Sequence, residues 1–227
     1  MKTMRMLKLA ALSVALAASM GLAHSADCVN GVTAGLSTSD VTYGVNGPGS
    51  GPYVDANGCF GYMSGNDDNT DLNNAAVAAG WGNGFLQADK SDSAGSAIPL
   101  FGGTFTFTLV PSALSTSGTY TLSATDNNGA SAPNFPINLD FVLVLKGGPG
   151  YAGWYFNDVG FDSSGGGAWA IQFLNPGNQI PALSHMSVYV REGDDGGGGG
   201  GNVPEPSALA LASLALLGAY ATRRRKV

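Results

Sequence analysis

Two stretches of this 227-residue chain carry residue types and spacings capable of chemistry. Asp67, Asn69, Asp71 and Asn73 fall at alternate positions, and hard oxygen ligands so spaced converge on Ca2+ when the backbone turns tightly. An EF-hand loop would need Gly at its sixth position and Glu at its twelfth, where Leu72 and Ala78 stand. The alternatives are a calcium loop of another kind or a solvated loop whose side chains bond local amides. The second stretch is His185, flanked by Ser184 and Ser187. A Ser–His–acid triad can be drawn there, but neighbours on a strand point to opposite faces, and no G-x-S-x-G elbow is present. A strand histidine bonded to a carbonyl or carboxylate is the expectation. One histidine with scattered aspartates gives no zinc-type ligand set.

Three further patterns have simpler readings. Gly148-Pro149-Gly150-Tyr151-Ala152-Gly153 matches G-x-G-x-x-G, yet Trp154-Tyr155-Phe156 after it is strand-like, where a dinucleotide site needs a helix N-terminus. A hairpin turn is expected. Trp154, Tyr155, Phe156, Phe161, Trp169 and Tyr189 would suit sugar stacking if exposed, although aromatics in sandwiches usually fill the core. Thr104, Thr106 and Thr108 form a threonine row, but one strand makes no flat array.

The elements that must position these residues read as strands. Gly103 to Val110 alternates Thr with apolar side chains, Thr119 to Thr125 follows, and the turn Asp126-Asn127-Asn128-Gly129 closes it. Phe141 to Leu145 is apolar on both faces and belongs at the centre of a sheet. Trp154 to Phe156, Ala168 to Leu174 and His185 to Val190 complete the set, with Met186, Val188 and Val190 on one face and His185, Ser187 and Tyr189 on the other. Leu72 to Gly80 is the one short helix expected. With 35 glycines, an antiparallel all-β sandwich of jelly-roll-like form is predicted.

Both chain ends read as targeting segments. Lys2, Arg5 and Lys8 precede an apolar run from Leu9 to about Leu22, and Ala23-His24-Ser25 suits a signal peptidase cut after Ser25. A lipoprotein signal at Cys28 is disfavoured by Asp27, and the apolar run is short for an anchor. At the other end, Val203 to Ser207 precedes an apolar stretch from Ala208 to about Ala221, then Arg223, Arg224, Arg225 and Lys226. About 15 helical residues span roughly 22 Å, short of the ~30 Å hydrocarbon core, and the terminal cations would hold the end on the cytoplasmic side.

From Asp27 to Glu205 only Lys90, Lys146 and Arg191 oppose sixteen carboxylates, a formal charge of −13 hidden by the whole-chain value of −6. Such a body repels anionic polymers, attracts divalent cations and excludes nucleic-acid binding. Cys28 and Cys59, the only cysteines, both lie in the exported part and read as a disulfide. Gly196 to Gly201 behaves as a flexible linker.

Pro204-Glu205-Pro206, the short Ala/Leu helix and the terminal Arg cluster resemble the PEP-CTERM sorting signal of exosortase substrates. That family comes from Gram-negative bacteria making extracellular polysaccharide. The resemblance implies cutting near Pro204 to Pro206 by an exosortase-type membrane protease. Phe141 to Gly150, Ala182 to Tyr189 and Gly65-Asn66-Asp67-Asp68 before Asp71-Leu72-Asn73 are similar to a β-domain common among such proteins.

The chain is thus expected to comprise a signal peptide (1–25), a β-sandwich (26–192), a Gly-rich linker (193–202) and a sorting signal (203–227). It would pass the Sec translocon, signal peptidase and, transiently, the inner membrane, and end at the cell surface or in the extracellular matrix. The expected role is non-enzymatic, structural or adhesive, beside exopolysaccharide. The alternatives are a glycan- or calcium-binding module and a secreted hydrolase. No cofactor is expected, calcium at the four residues above excepted.

Overall fold

The computed structural model describes Cys28 and residues 35–48, 51–129 and 135–193. The chain divides into two units, Met1–Gly193 and Asp194–Val227. The signal peptide, the glycine run and the sorting signal lie outside the described residues. Among those residues no helix is long and apolar enough to cross a membrane; the stretch from Ala208 expected to do so is not among them.

Eleven strands, one α-helix and a 3-10 turn at Thr38–Asp40 make up the elements of the described residues. A four-stranded sheet has the order β10-β7-β6-β5: Ser164–Ala170, Ser117–Asp126, Gly103–Pro111 and Ala97–Leu100. A five-stranded sheet has the order β3-β9-β8-β11-β4: Gly58–Ser64, Gly150–Phe161, Ile137–Gly147, Leu183–Glu192 and Leu86–Lys90. β1 (Thr42–Tyr43) and β2 (Val54–Asp55) form a small third ladder. All named pairs are antiparallel. Hairpins β5–β6–β7 and β8–β9 stay within a sheet, while β4–β5, β7–β8, β9–β10 and β10–β11 cross between the two sheets.

Side-chain alternation explains the layers. Phe105, Phe107 and Leu109 of β6 and Tyr120 and Leu122 of β7 point into the sandwich. There they meet Leu139, Phe141, Leu143 and Leu145 of β8 and Met186, Val188 and Val190 of β11. Each such large apolar side chain contributes about 1.5–3 kcal/mol on burial. β8 does sit mid-sheet, and its other face is also covered. Val142 and Val144 pack with Phe60, Tyr151, Tyr155 and Tyr189 against Leu72, Ala75 and Ala76 of helix α1 (Asn69–Ala78). The five-stranded sheet is therefore sandwiched between the other sheet and a helix. This double burial is why Phe141 to Leu145 of β8 are apolar on both faces.

Three expectations need correction. The helix starts at Asn69, three residues before Leu72, because the Asp68 side chain caps it, accepting from the Thr70 and Asp71 N–H groups at 2.9 and 2.8 Å. β10 starts at Ser164 and stops at Ala170 instead of running from Ala168 to Leu174. Its three glycines admit neighbours: a Cβ on Gly167 would lie 1.8 Å from the Thr42 carbonyl oxygen, and one on Gly165 would lie 2.4 Å from the Tyr43 hydroxyl. The chain before Gly103, where no strand is predicted, supplies β1 to β5. The G-x-G-x-x-G segment is the β8–β9 hairpin, as expected, with Gly148 at φ +60°. Cys28 and Cys59 are bonded, with Cα atoms 4.6 Å apart.

The outer face of the four-stranded sheet carries the threonine row and extends it. Thr106 pairs with Thr125, Thr108 with Ser123 and Val110 with Thr121, while Ser123 also faces Ser164. A two-dimensional hydroxyl surface results.

Candidate functional site

The densest polar cluster lies on the helix side of β11. Strand alternation aims His185, Ser187 and Tyr189 away from the sandwich core. The Asp68 cap turns the chain so that Asp67 lands on all three. His185 Nε2 is 2.8 Å from Asp67 Oδ1, and Ser187 Oγ donates to Asp67 Oδ2 at 2.5 Å. Tyr189 donates to the Asp67 backbone carbonyl, and Gln87 Nε2 donates to the Tyr189 hydroxyl at 2.9 Å. On the far side of the imidazole, Nδ1 lies 3.4 Å from Oδ2 of the exposed Asp92. Asp67, His185 and Ser187 are all buried.

The electrostatics follow from that burial. Desolvation alone would raise the Asp67 carboxyl. Hydrogen bonds from His185 and Ser187, the nearby imidazole charge and a backbone N–H together pull it below the ordinary carboxylate value. Lys146, buried nearby with Nζ donating to the Gly148 carbonyl at 2.9 Å, is lowered by burial, against the attraction of Asp67. Burial also raises Tyr189, helped by the Asp67 charge. Ser187 gives its only proton to a carboxylate, and the imidazole faces two carboxylates. The arrangement clamps the loop before α1 onto the sheet.

The four oxygen-bearing residues proposed for calcium do not converge. Their alternate spacing falls across a helix start, where positions i and i+4 share a face and i+2 does not. Asn69 Oδ1 accepts the Gln87 N–H at 3.1 Å. Asn73 bonds both polar groups of the Phe85 backbone, at 3.0 and 2.9 Å. These two asparagines tie α1 to β4 and its approach, Asp71 stays exposed, and Asp67 sits in the cluster above. Among the described residues, no three His, Cys, Asp or Glu side chains lie close enough to hold a metal ion.

The aromatics considered for sugar stacking are core instead: Trp154, Phe156, Phe161, Trp169 and Tyr189 are buried, as is Tyr155. Trp81 is partly exposed and stacks on Tyr155 with ring centres 4.9 Å apart. Its setting, Gly80-Trp81-Gly82, is the signal that could have found it, since flanking glycines leave an indole few neighbours to bury it. Arg191 completes this edge. Its Nε and Nη2 reach Oδ2 of buried Asp140 at 2.9 and 2.6 Å, and its guanidinium lies 4.3 Å from the Phe85 ring centre.

The body is an acidic, disulfide-closed β-sandwich, and the chain end states its handling. Residues 202–226 match the PEP-CTERM protein-sorting motif, which takes in Pro204, Glu205, Pro206 and the cluster Arg223, Arg224, Arg225 and Lys226. The chain therefore carries a PEP-CTERM protein-sorting motif at residues 202–226. The motif implies export, a membrane-associated transit and processing by an exosortase-type membrane protease. No curated protein and no solved structure matches the chain.

Proposed function

We propose that this protein is a non-enzymatic component of the cell surface or extracellular matrix, with a structural or adhesive role beside exopolysaccharide. The sorting motif at 202–226 carries the reading. It is supported by a body that keeps its one histidine buried and bonded to Asp67, leaving no exposed acid–base group of that type for hydrolysis. In this reading the chain enters the Sec translocon, loses residues 1–25 to signal peptidase, pauses in the inner membrane and is cut near Pro204 to Pro206. The charge of −13 then keeps it soluble and apart from anionic polymers.

The deciding experiment is intact mass of the protein from matrix, supernatant and membrane fractions of its host. A species running from near Ala26 to near Pro206, found in the matrix or at the surface, is the expected result. A membrane-bound species retaining Arg223 to Val227 would overturn it.

A further inference from the structure

An open cavity of about 430 Å3 lies where β1 and β2 meet β9, within the size range of small-ligand sites. Tyr43 and Phe156 line it as buried rings, their centres 6.0 Å apart. Val45, Pro52 and Val54 add apolar side chains that remain exposed, Val54 at 56%. Asp55, Asn57, Asn157 and Asp158 supply the polar groups, and no Lys, Arg or His is among the lining residues.

The polar side is built by a β-bulge. Leu139 pairs with Val159 and Phe141 with Phe156, so Asn157 and Asp158 together face the single Asp140. Asp158 takes φ +49°, left-handed and costly for a non-glycine residue. Two hydrogen bonds hold it so: the Asp158 N–H donates to Asp140 Oδ1 and the Asn157 N–H to Asn57 Oδ1, both at 2.8 Å. Asp140 is itself fixed by Arg191. The bulge thus leaves the Asp158 side chain exposed beside the apolar rings.

We infer that this cavity binds a neutral saccharide. Ionised carboxylates only accept hydrogen bonds, and carboxamides both donate and accept; this set suits ring hydroxyls. The exposed Val45, Pro52 and Val54 suit the C–H face of a sugar, with the buried rings as their backing. Two carboxylates without a lining cation, on a body of charge −13, repel uronate or sulfated sugars. The inference rests on the matrix reading above only for where the sugar comes from.

The test is affinity electrophoresis of the full chain in gels containing dextran, mixed-linkage β-glucan or galactomannan, with polygalacturonate as the anionic probe. Retardation by at least one neutral polymer and none by polygalacturonate is expected. Val54→Arg, which fills the cavity mouth, and Asp158→Asn, which keeps the left-handed backbone accessible, should each weaken it tenfold or more. Val110→Arg, at an exposed site on the outer face of the other sheet, should leave it unchanged. Failure of all three neutral polymers overturns the inference, as does equal retardation by polygalacturonate or undiminished retardation in both cavity variants. Failure of the matrix reading is separate: the protein would be missing from the matrix fraction while still retarded by a neutral polymer.

Discussion

His185 and Asp67 are 118 positions apart in sequence, yet the imidazole Nε2 and carboxylate Oδ1 stand 2.8 Å apart in the folded protein. With Ser187 on the second carboxylate oxygen, this contact seats the loop that begins α1, and α1 covers one face of the five-stranded sheet. Asp67→Ala leaves buried donors without an acceptor, and a loss of about 2–4 kcal/mol is expected. Urea unfolding followed by tryptophan fluorescence measures it; a midpoint equal to wild type would mean the cluster does not anchor the helix.

The same carboxylate sets an acid limit. Its folded value lies below the ordinary one, so the unfolded state binds the proton more tightly. The stabilisation is therefore complete above the unfolded value of about 3.9 and is lost as pH falls through the lowered folded value. Wild type and Asp67→Asn should differ near neutral pH and converge as pH falls below about 4. Parallel curves down to pH 2 would contradict this.

Asp89 behaves oppositely. Its Oδ2 accepts the Leu109 N–H at 2.6 Å and joins β4 to β6, but buried Oδ1 has no partner. Around the position of a Gly95 Cβ, the Phe107 carbonyl, Asp89 Oδ1 and the Ala88 carbonyl lie at 2.5, 2.9 and 3.2 Å, an all-oxygen setting. Burial raises this carboxyl, against backbone N–H groups of Leu109 and Lys90. Its protonated form is the one the fold favours, a contribution lost as pH rises through the raised value. Asp89→Asn supplies a donor and should stabilise by about 1 kcal/mol at pH 7, with the gain vanishing below about pH 4. A destabilised variant at pH 7 would refute it.

The Cys28–Cys59 bond closes a span of 31 residues and ties the start of the body to β3. The chain-entropy model assigns roughly 3–4 kcal/mol to such a loop. Calorimetry of the Cys28→Ser/Cys59→Ser double variant should show Tm lower by roughly 7–15 °C. A shift under about 2 °C would indicate that packing alone holds this end.

Gly167→Ala tests the contact of β10 with β1. The added Cβ would fall 1.8 Å from a backbone oxygen that cannot swing aside. The cost should exceed 2 kcal/mol on the overpacking scale. Proteolysis across residues 42–55 should accelerate as the β1–β2 ladder loosens, whereas unchanged cleavage would show that the two strands part without consequence.

Much of this protein is legible in its sequence because the relevant physics is local. Alternation at 103–110 and 185–190 states which side chains enter the core, since successive residues on a strand face opposite ways. Phe141 to Leu145 announces a central strand by lacking a polar face, and the sorting motif is a contiguous segment read in order. The stack of Trp81 is not legible there, because its partner Tyr155 lies in a distant strand.

What only the tertiary structure decided concerns residues that must meet from far apart. The row Asp67, Asn69, Asp71, Asn73 looks like a cation loop until Asp68 caps a helix, after which the four side chains diverge. The threonine row of β6 makes no surface until β7 pairs beside it and sets Thr125 and Ser123 opposite Thr106 and Thr108. The Asp158 bulge exists only because β8 and β9 slip by one residue beside Asp140. Periodicity constrains which way a side chain points relative to its own backbone. Which surface it then meets depends on strand order, register and caps, interactions between segments that no single stretch of sequence contains.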